Sequence, residues 1–155
     1  MGMAVPPGKE VVLSKKQKEL VHRKDIMALQ DHMMSLPPDL LRNIPDMTTD
    51  WFGPGIYLRM YWLPTGDIAI GKIHKTEHFN ILCRGKVSVS TPDGPVIFDA
   101  TERPVVFLSK PGVKKAIYCI EECFWITTHV TDETDREKLE DELIAKDFAQ
   151  LEHQE

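Results

Sequence analysis

The sequence predicts a mainly β domain, an antiparallel sandwich or barrel with a helix on each side of it. Three observations carry this expectation. Between residues 50 and 131, seven or eight short extended runs alternate with Gly- and Pro-bearing turns. A Ser-x-x-Gln box at Ser14 and a Thr-x-x-Glu box at Thr134 mark helix starts before and after that region. A chain of 155 residues is long enough to bury one sizeable core and short for two.

The elements follow in order. The first thirteen residues hold two prolines and no periodicity, which predicts an arm. From Ser14, the residues Leu20, Val21, Met27, Met33 and Met34 recur at roughly helical spacing, and Pro37-Pro38 ends the run, so a helix is expected near 14 to 36. Residues 37 to 54, rich in Pro and Asp, read as a long connector; with the arm and helix they form an N-terminal segment over 1 to 49. IYLRMYWL, IAIGKIH, HFNILCRGKVSVST, PVIFDA, VVFLS, KKAIYCI and CFWITTHV are strand-like. PTGD, PDG, KPG and the Glu121-Glu122 pair separate them as turns. In IYLRMYWL, Tyr57, Arg59 and Tyr61 share one face and Leu58, Met60 and Trp62 the other; the apolar face is the expected core face. Residues 132 to 155 read as an acidic amphipathic helix with Leu139, Leu143, Ile144, Phe148 and Leu151 on one side and a Glu142–Lys146 pair on the other.

Composition excludes several classes. The chain is 42% hydrophobic and 28% charged, as a water-exposed globular domain is. No apolar run approaches the ~20 residues that span a bilayer, so no membrane role is expected. The start MGMAVPPGKE lacks the apolar stretch of a signal peptide, so the chain is expected to stay where it is made. Three cysteines, Cys83, Cys119 and Cys123, suit a reducing compartment better than a disulfide framework. Charge is opposed at the ends: residues 1 to 24 carry a net +4 and residues 132 to 155 a net −7, out of −5 overall. Such ends pair with each other, with another copy or with a partner surface. Nucleic acid is not expected, because no basic patch is interleaved with aromatics.

The chemistry concentrates in GDIAIGKIHKTEHFNILCRG. Two histidines four apart, His74 and His78, lie in an extended region where Gly66, Gly71 and the isoleucines disfavour a helix. Gly66, Lys72, His74, His78 and Gly85 fall at the intervals of G-x5-H-x-H-x3,4-E-x6-G, the first motif of the cupin superfamily. The stretch 50 to 131 therefore resembles a cupin domain, a jelly-roll-like antiparallel β-barrel. A second motif is matched through Gly112 and Lys115, with Cys119 where the family has Asn. The resemblance implies a centre of three imidazoles and one carboxylate around a divalent metal. Here Lys72 and Lys115 replace two histidines, and His78 stands where the carboxylate belongs. Each ammonium would oppose a cation by on the order of 4 kcal/mol at 4 Å and an effective dielectric of ~20.

Three uses of these residues stay open. They could hold a divalent metal weakly, through His74 and His78; they could form a cationic pocket for a carboxylate, a phosphate or an acidic side chain, from Lys72, His74, His78 and Lys115 with His129 reaching in from the last strand; or they could be a structural remnant. No nucleophilic triad or phosphate loop can be nominated, and no resident cofactor is expected beyond a possible weakly bound metal.

HKTEHFNIL, the single barrel and the tail HVTDETDREKLEDELI also resemble short cupin-like proteins of tailed bacteriophages. That likeness implies a virion or morphogenesis role, in the virion or the host cytoplasm. Two functions follow: a non-catalytic assembly and interaction module, oligomeric and docking on other proteins through its terminal segments, or a metal-dependent oxygenase or isomerase acting on a small acid.

Overall fold

The computed structural model describes residues 12–152, so all but the last two positions of the expected arm lie outside the described residues. Helix α1 runs Lys15–Met34 and starts as its capping box dictates: the Gln17 N–H donates to Ser14 Oγ at 3.2 Å and the Ser14 N–H to Gln17 Oε1 at 2.8 Å. Of its twenty residues only Ile26 is buried. The helix is tied to the rest by His22 Nε2 and Ser90 Oγ at 3.1 Å, Lys18 and Asp93 at 3.0 Å, and the Arg23 guanidinium 4.5 Å above the Phe148 ring.

The expected connector ends early. After a single 3-10 turn at Pro38–Leu40 and a short helix α2 (Ile44–Met47), Thr48–Gly53 forms an edge strand, β1. Its β-branched and aromatic residues suit a pleated surface, and Pro54-Gly55 turns the chain back into β2 (Ile56–Leu63). The remaining strands are β3 (Ile68–Ile70), β4 (Ile73–His74), β5 (His78–Val89), β6 (Val96–Asp99), β7 (Val105–Ser109) and β8 (Ala116–Val130).

One seven-stranded sheet, antiparallel throughout, follows the order β1-β2-β8-β5-β6, with β3 beside β8 and β7 beside β5. This is the mainly antiparallel β architecture with helices at both ends that the strand and turn pattern predicts. The two long strands are its spine. The expected turn at Glu121-Glu122 does not occur: both residues stay within β8, and the ladder absorbs the irregularity as register shifts between Leu82 and Val87 on β5. Inside, Leu82, Val87, Cys119 and Cys123 are fully buried with Val89 and Trp125. The two cysteines therefore serve packing, and burial pushes the Cys123 thiol up to about 12.

The core face of β2 is the reverse of the expected one. Tyr57, Arg59 and Tyr61 face His129, Thr127 and Trp125 of β8, while Leu58, Met60 and Trp62 stay half-buried on the outer side. The polar face is tolerable inside because its heads are paired, as set out below.

The C-terminal region is not one helix. Asp135, not Thr134, caps α3 (Arg136–Leu143), accepting from the Glu137 and Lys138 N–H groups. The chain then extends through β9 (Ile144–Ala145), which pairs with β4, before a last turn, α4 (Phe148–Glu152). Glu142 accepts from Thr131 Oγ1 instead of pairing with Lys146. Tertiary pairing with β4 overrides the helical periodicity at Ile144.

Candidate functional site

Alternation along the strands decides which side chains enter the interior. His78 and Asn80 point inward from β5, and Trp125, Thr127 and His129 from β8; all five are buried. The β4–β9 pair brings His74 against them. The three imidazoles meet with centroids 4.2 Å (His74–His78), 4.8 Å (His78–His129) and 5.1 Å (His74–His129) apart. Below them Trp125 Nε1 donates to Asn80 Oδ1 at 3.0 Å and Asn80 Nδ2 to Ser109 Oγ at 2.8 Å, which fixes the floor of the cluster.

The His78 Nδ1–H donates to the Thr76 carbonyl at 3.2 Å, leaving the Nε2 lone pair facing inward. That nitrogen and His129 Nδ1 are buried with no hydrogen-bond partner. All three rings are held neutral. Burial first, then the neighbouring His78 and His129 rings and the charges of Lys115 and Lys72, pushes His74 down to about 2. Burial, with His78 and Arg59, pushes His129 down to about 4, and burial also lowers His78.

A folded pKa below that of the unfolded histidine means that the unfolded chain takes up the proton first on acidification. The contribution is fully present above pH 6.5 and is lost as pH falls toward 4. The His129→Gln variant should lose less stability between pH 6.5 and 5.5 than the parent, by about 1 kcal/mol, as read from urea midpoints. An equal slope in both proteins would refute a neutral buried His129.

A small cavity of about 30 Å³, room for a water or two, opens beside His74 and His129. Its rim is an ion cluster. Asp50 Oδ1 accepts from the Tyr57 hydroxyl at 2.7 Å and from Arg59 Nε at 2.9 Å, and Arg136 of α3 pairs with its Oδ2. Lys72 pairs with Glu140 of α3, which also lies 4.0 Å from Arg59. Burial first, then the Asp50 hydrogen bond, raises the Tyr57 phenol, which stays protonated as a donor.

The structure thus brings His74, His78 and His129 together and separates the two lysines. Lys72 is exposed at the rim and turned to Glu140, so it does not complete a four-residue cationic pocket. Lys115 is close enough to depress His74 and His78, and its Nζ lies 5.8 Å above the Phe107 ring. Glu77 pairs with Lys110 at 3.1 Å, away from the cluster. Asp50, Arg136, Glu140 and Lys114 escaped sequence reasoning. Only the doubled lysine in KPGVKKAI was a signal for the last.

The metal implied by the motif resemblance can be tested against this arrangement. Neutral imidazoles with free lone pairs are the right chemistry. The placement is not: the rings lean on one another at interplanar angles of 43°, 15° and 33°, Lys115 stands beside them, and no carboxylate joins them. Among the described residues no three His, Cys, Asp or Glu side chains are placed to hold a metal ion. The cluster as it stands does not fit one.

No protein-family model matches the chain, and no curated protein matches it. Solved structures do. A cupin domain from Bordetella pertussis Tohama I is 18% identical with a TM-score of 0.43, over 54% of this chain and 91% of that one. A cupin-2 domain containing protein from Shewanella frigidimarina is 10% identical with a TM-score of 0.45, over 66% of this chain and 92% of that one. The Schizosaccharomyces pombe Cnp3 cupin domain is 18% identical with a TM-score of 0.45, over 64% and 69%.

Proposed function

We propose that the chain is a non-catalytic, cupin-type interaction module that docks on another protein of an assembly through its terminal segments, with a bacteriophage virion or its morphogenesis as the setting. The observation that carries this is α1. A twenty-residue helix that buries only Ile26 and leaves Leu20, Val21 and Met34 53%, 47% and 73% exposed is an element whose outer side still lacks a partner. The basic start of the chain and the acidic α3 supply opposed charges to orient such a partner. No helix among the described residues is long and apolar enough to cross a membrane.

The test is co-expression with the products of neighbouring genes. Portal, capsid or tail proteins that co-purify with the chain, and no longer do so with Leu20→Glu/Val21→Glu, support the proposal. The double variant should melt within about 1 kcal/mol of the parent, since both positions are exposed. Metabolic neighbours and unchanged co-purification would count against it.

A second reading, a metal-dependent oxygenase or isomerase acting on a small acid, is favoured by one observation: the unpartnered His78 Nε2 and His129 Nδ1. Stoichiometric iron, manganese, nickel or zinc in purified protein, lost in His74→Ala, would establish it over the first.

A further inference from the structure

A concavity larger than the one beside His74 lies outside the histidine cluster. Between α1 and the open end of the β5, β6 and β7 strands is a cavity of about 450 Å³, in the size range of small-molecule sites. Part of its lining is apolar: Phe98 and Phe107 stack on each other with centroids 4.6 Å apart and parallel planes, and Val89 lines the cavity with them. Lys114 and Lys115, from the loop before β8, also line it, with Lys115 Nζ 5.8 Å above the Phe107 ring.

These two lysines are the anomaly. Lys114 is 8% exposed, and burial lowers its ammonium; burial pushes Lys115 down to about 8. Neither ammonium forms an ion pair or hydrogen bond with a described residue, whereas Arg59 has the Asp50 carboxylate and Lys75 the Asp141 carbonyl. Glu19 also lines the cavity, from α1, and is paired with neither lysine. Taking an ammonium out of water costs several kcal/mol unless an anion or a full set of acceptors offsets it. Two adjacent uncompensated ammonium groups in a partly aromatic lining therefore lack a counter-ion that brings its own apolar body.

We infer that this cavity binds an organic carboxylate, its anionic end between Lys114 and Lys115 and its apolar, ring-like body against Phe98 and Phe107. A phosphate is a poorer match, because the apolar lining would face a hydrated dianion, and the Arg23 guanidinium at the edge of the cavity lies over the Phe148 ring. The proposal does not rest on the docking role of α1 or on metal at the histidines. A free acid and the C-terminal carboxylate of a peptide share this chemistry, and two probes separate them.

Titrations of the full chain by calorimetry and amide chemical shifts would use phenylacetate, its neutral amide phenylacetamide, inorganic phosphate, and a short peptide ending in phenylalanine with a free carboxylate. Phenylacetate or the peptide should bind, perturbing amides of residues 89–92 and 107–115, and the amide should bind about tenfold or more weakly. Whichever of the two binds more tightly identifies the source. Lys114→Met and Lys115→Met should each weaken binding by a similar factor while the far-ultraviolet spectrum and melting cooperativity stay unchanged. Lys114→Met keeps the test decisive if Lys115→Met disturbs packing on Phe107. Equal binding of acid and amide, binding unchanged in the folded Lys114→Met variant, tighter binding of phosphate, or no response to either carboxylate at millimolar concentration would overturn the inference.

Discussion

Gly85→Ala should destabilise the chain by roughly 3 to 6 kcal/mol, combining the cost of a positive φ in a non-glycine residue with that of overpacking a buried contact. Gly85 lies inside β5 at φ +96°, where the ladder to β8 shifts register. A Cβ there would stand 2.2 Å from the Glu122 carbonyl oxygen and 2.7 Å from Cys123 Cα. These are backbone atoms of the sheet's other long strand, and they can retreat only by breaking the β5–β8 pairing on which the other five strands of the sheet are hung. Gly66→Ala is the control. It has a similar φ of +88° but nothing within 4 Å of the added carbon, so it should cost only the conformational part, about 1 to 2 kcal/mol. Urea unfolding of both variants measures the difference, with near-ultraviolet dichroism reporting whether Trp125 keeps its packing. A Gly85→Ala cost no greater than that of Gly66→Ala would mean that the close approach of β5 and β8 is not a requirement of the fold.

The same pair of glycines explains what was legible in the sequence. Gly66 and Gly85 bracket the histidines at an interval that a turn and a bulged strand impose, and both have left-handed φ values because the local geometry demands it. Capping at Ser14 and the reversal at Pro92-Asp93-Gly94 were readable for the same reason: each is settled by residues within four positions of one another. What was misread depends on contacts distant in the chain. The inward face of β2 is polar because Asp50 and Glu140, one on either side of it in sequence, neutralise Arg59. Residues 144 and 145 leave the helix because β4, some seventy positions earlier, offers a ladder. Lys72 and Lys115 looked equivalent in the motif, yet α3 supplies a carboxylate to the first and nothing to the second. His129 joins His74 and His78 through strand pairing across fifty residues, which alternation alone could suggest but not decide.

Asp50→Ala should cost about 3 to 5 kcal/mol, the usual penalty for stripping a buried cation of its partner. The Asp50 side chain is 4% exposed and sits directly across from Arg59 on β2, whose side chain is 17% exposed. It collects the Tyr57 hydroxyl, the Arg59 guanidinium and Arg136, so it joins β1, β2 and α3 at one point. Without it, Glu140 at 4.0 Å is the carboxylate left to Arg59, and the Tyr57 hydroxyl loses its acceptor next to His129. Arg136→Ala should cost under about 1 kcal/mol, because that side chain is 59% exposed. Acid provides an independent check. Burial alone would raise the Asp50 carboxyl, but hydrogen bonds from Tyr57 and Arg59 and the charges of Arg59 and Arg136 hold it below the usual 3.8. A folded pKa below the unfolded one means that its contribution is present above pH 3.8 and is lost as pH falls further, a window separate from the one between 6.5 and 4 where His129 acts. Urea midpoints from pH 7 to 3 should show both phases in the parent and only the upper one in Asp50→Asn. A cost below about 1 kcal/mol for Asp50→Ala, or an unchanged lower phase in Asp50→Asn, would mean that the polar interior of β2 is held by packing of Tyr57 and Leu139 rather than by this carboxylate.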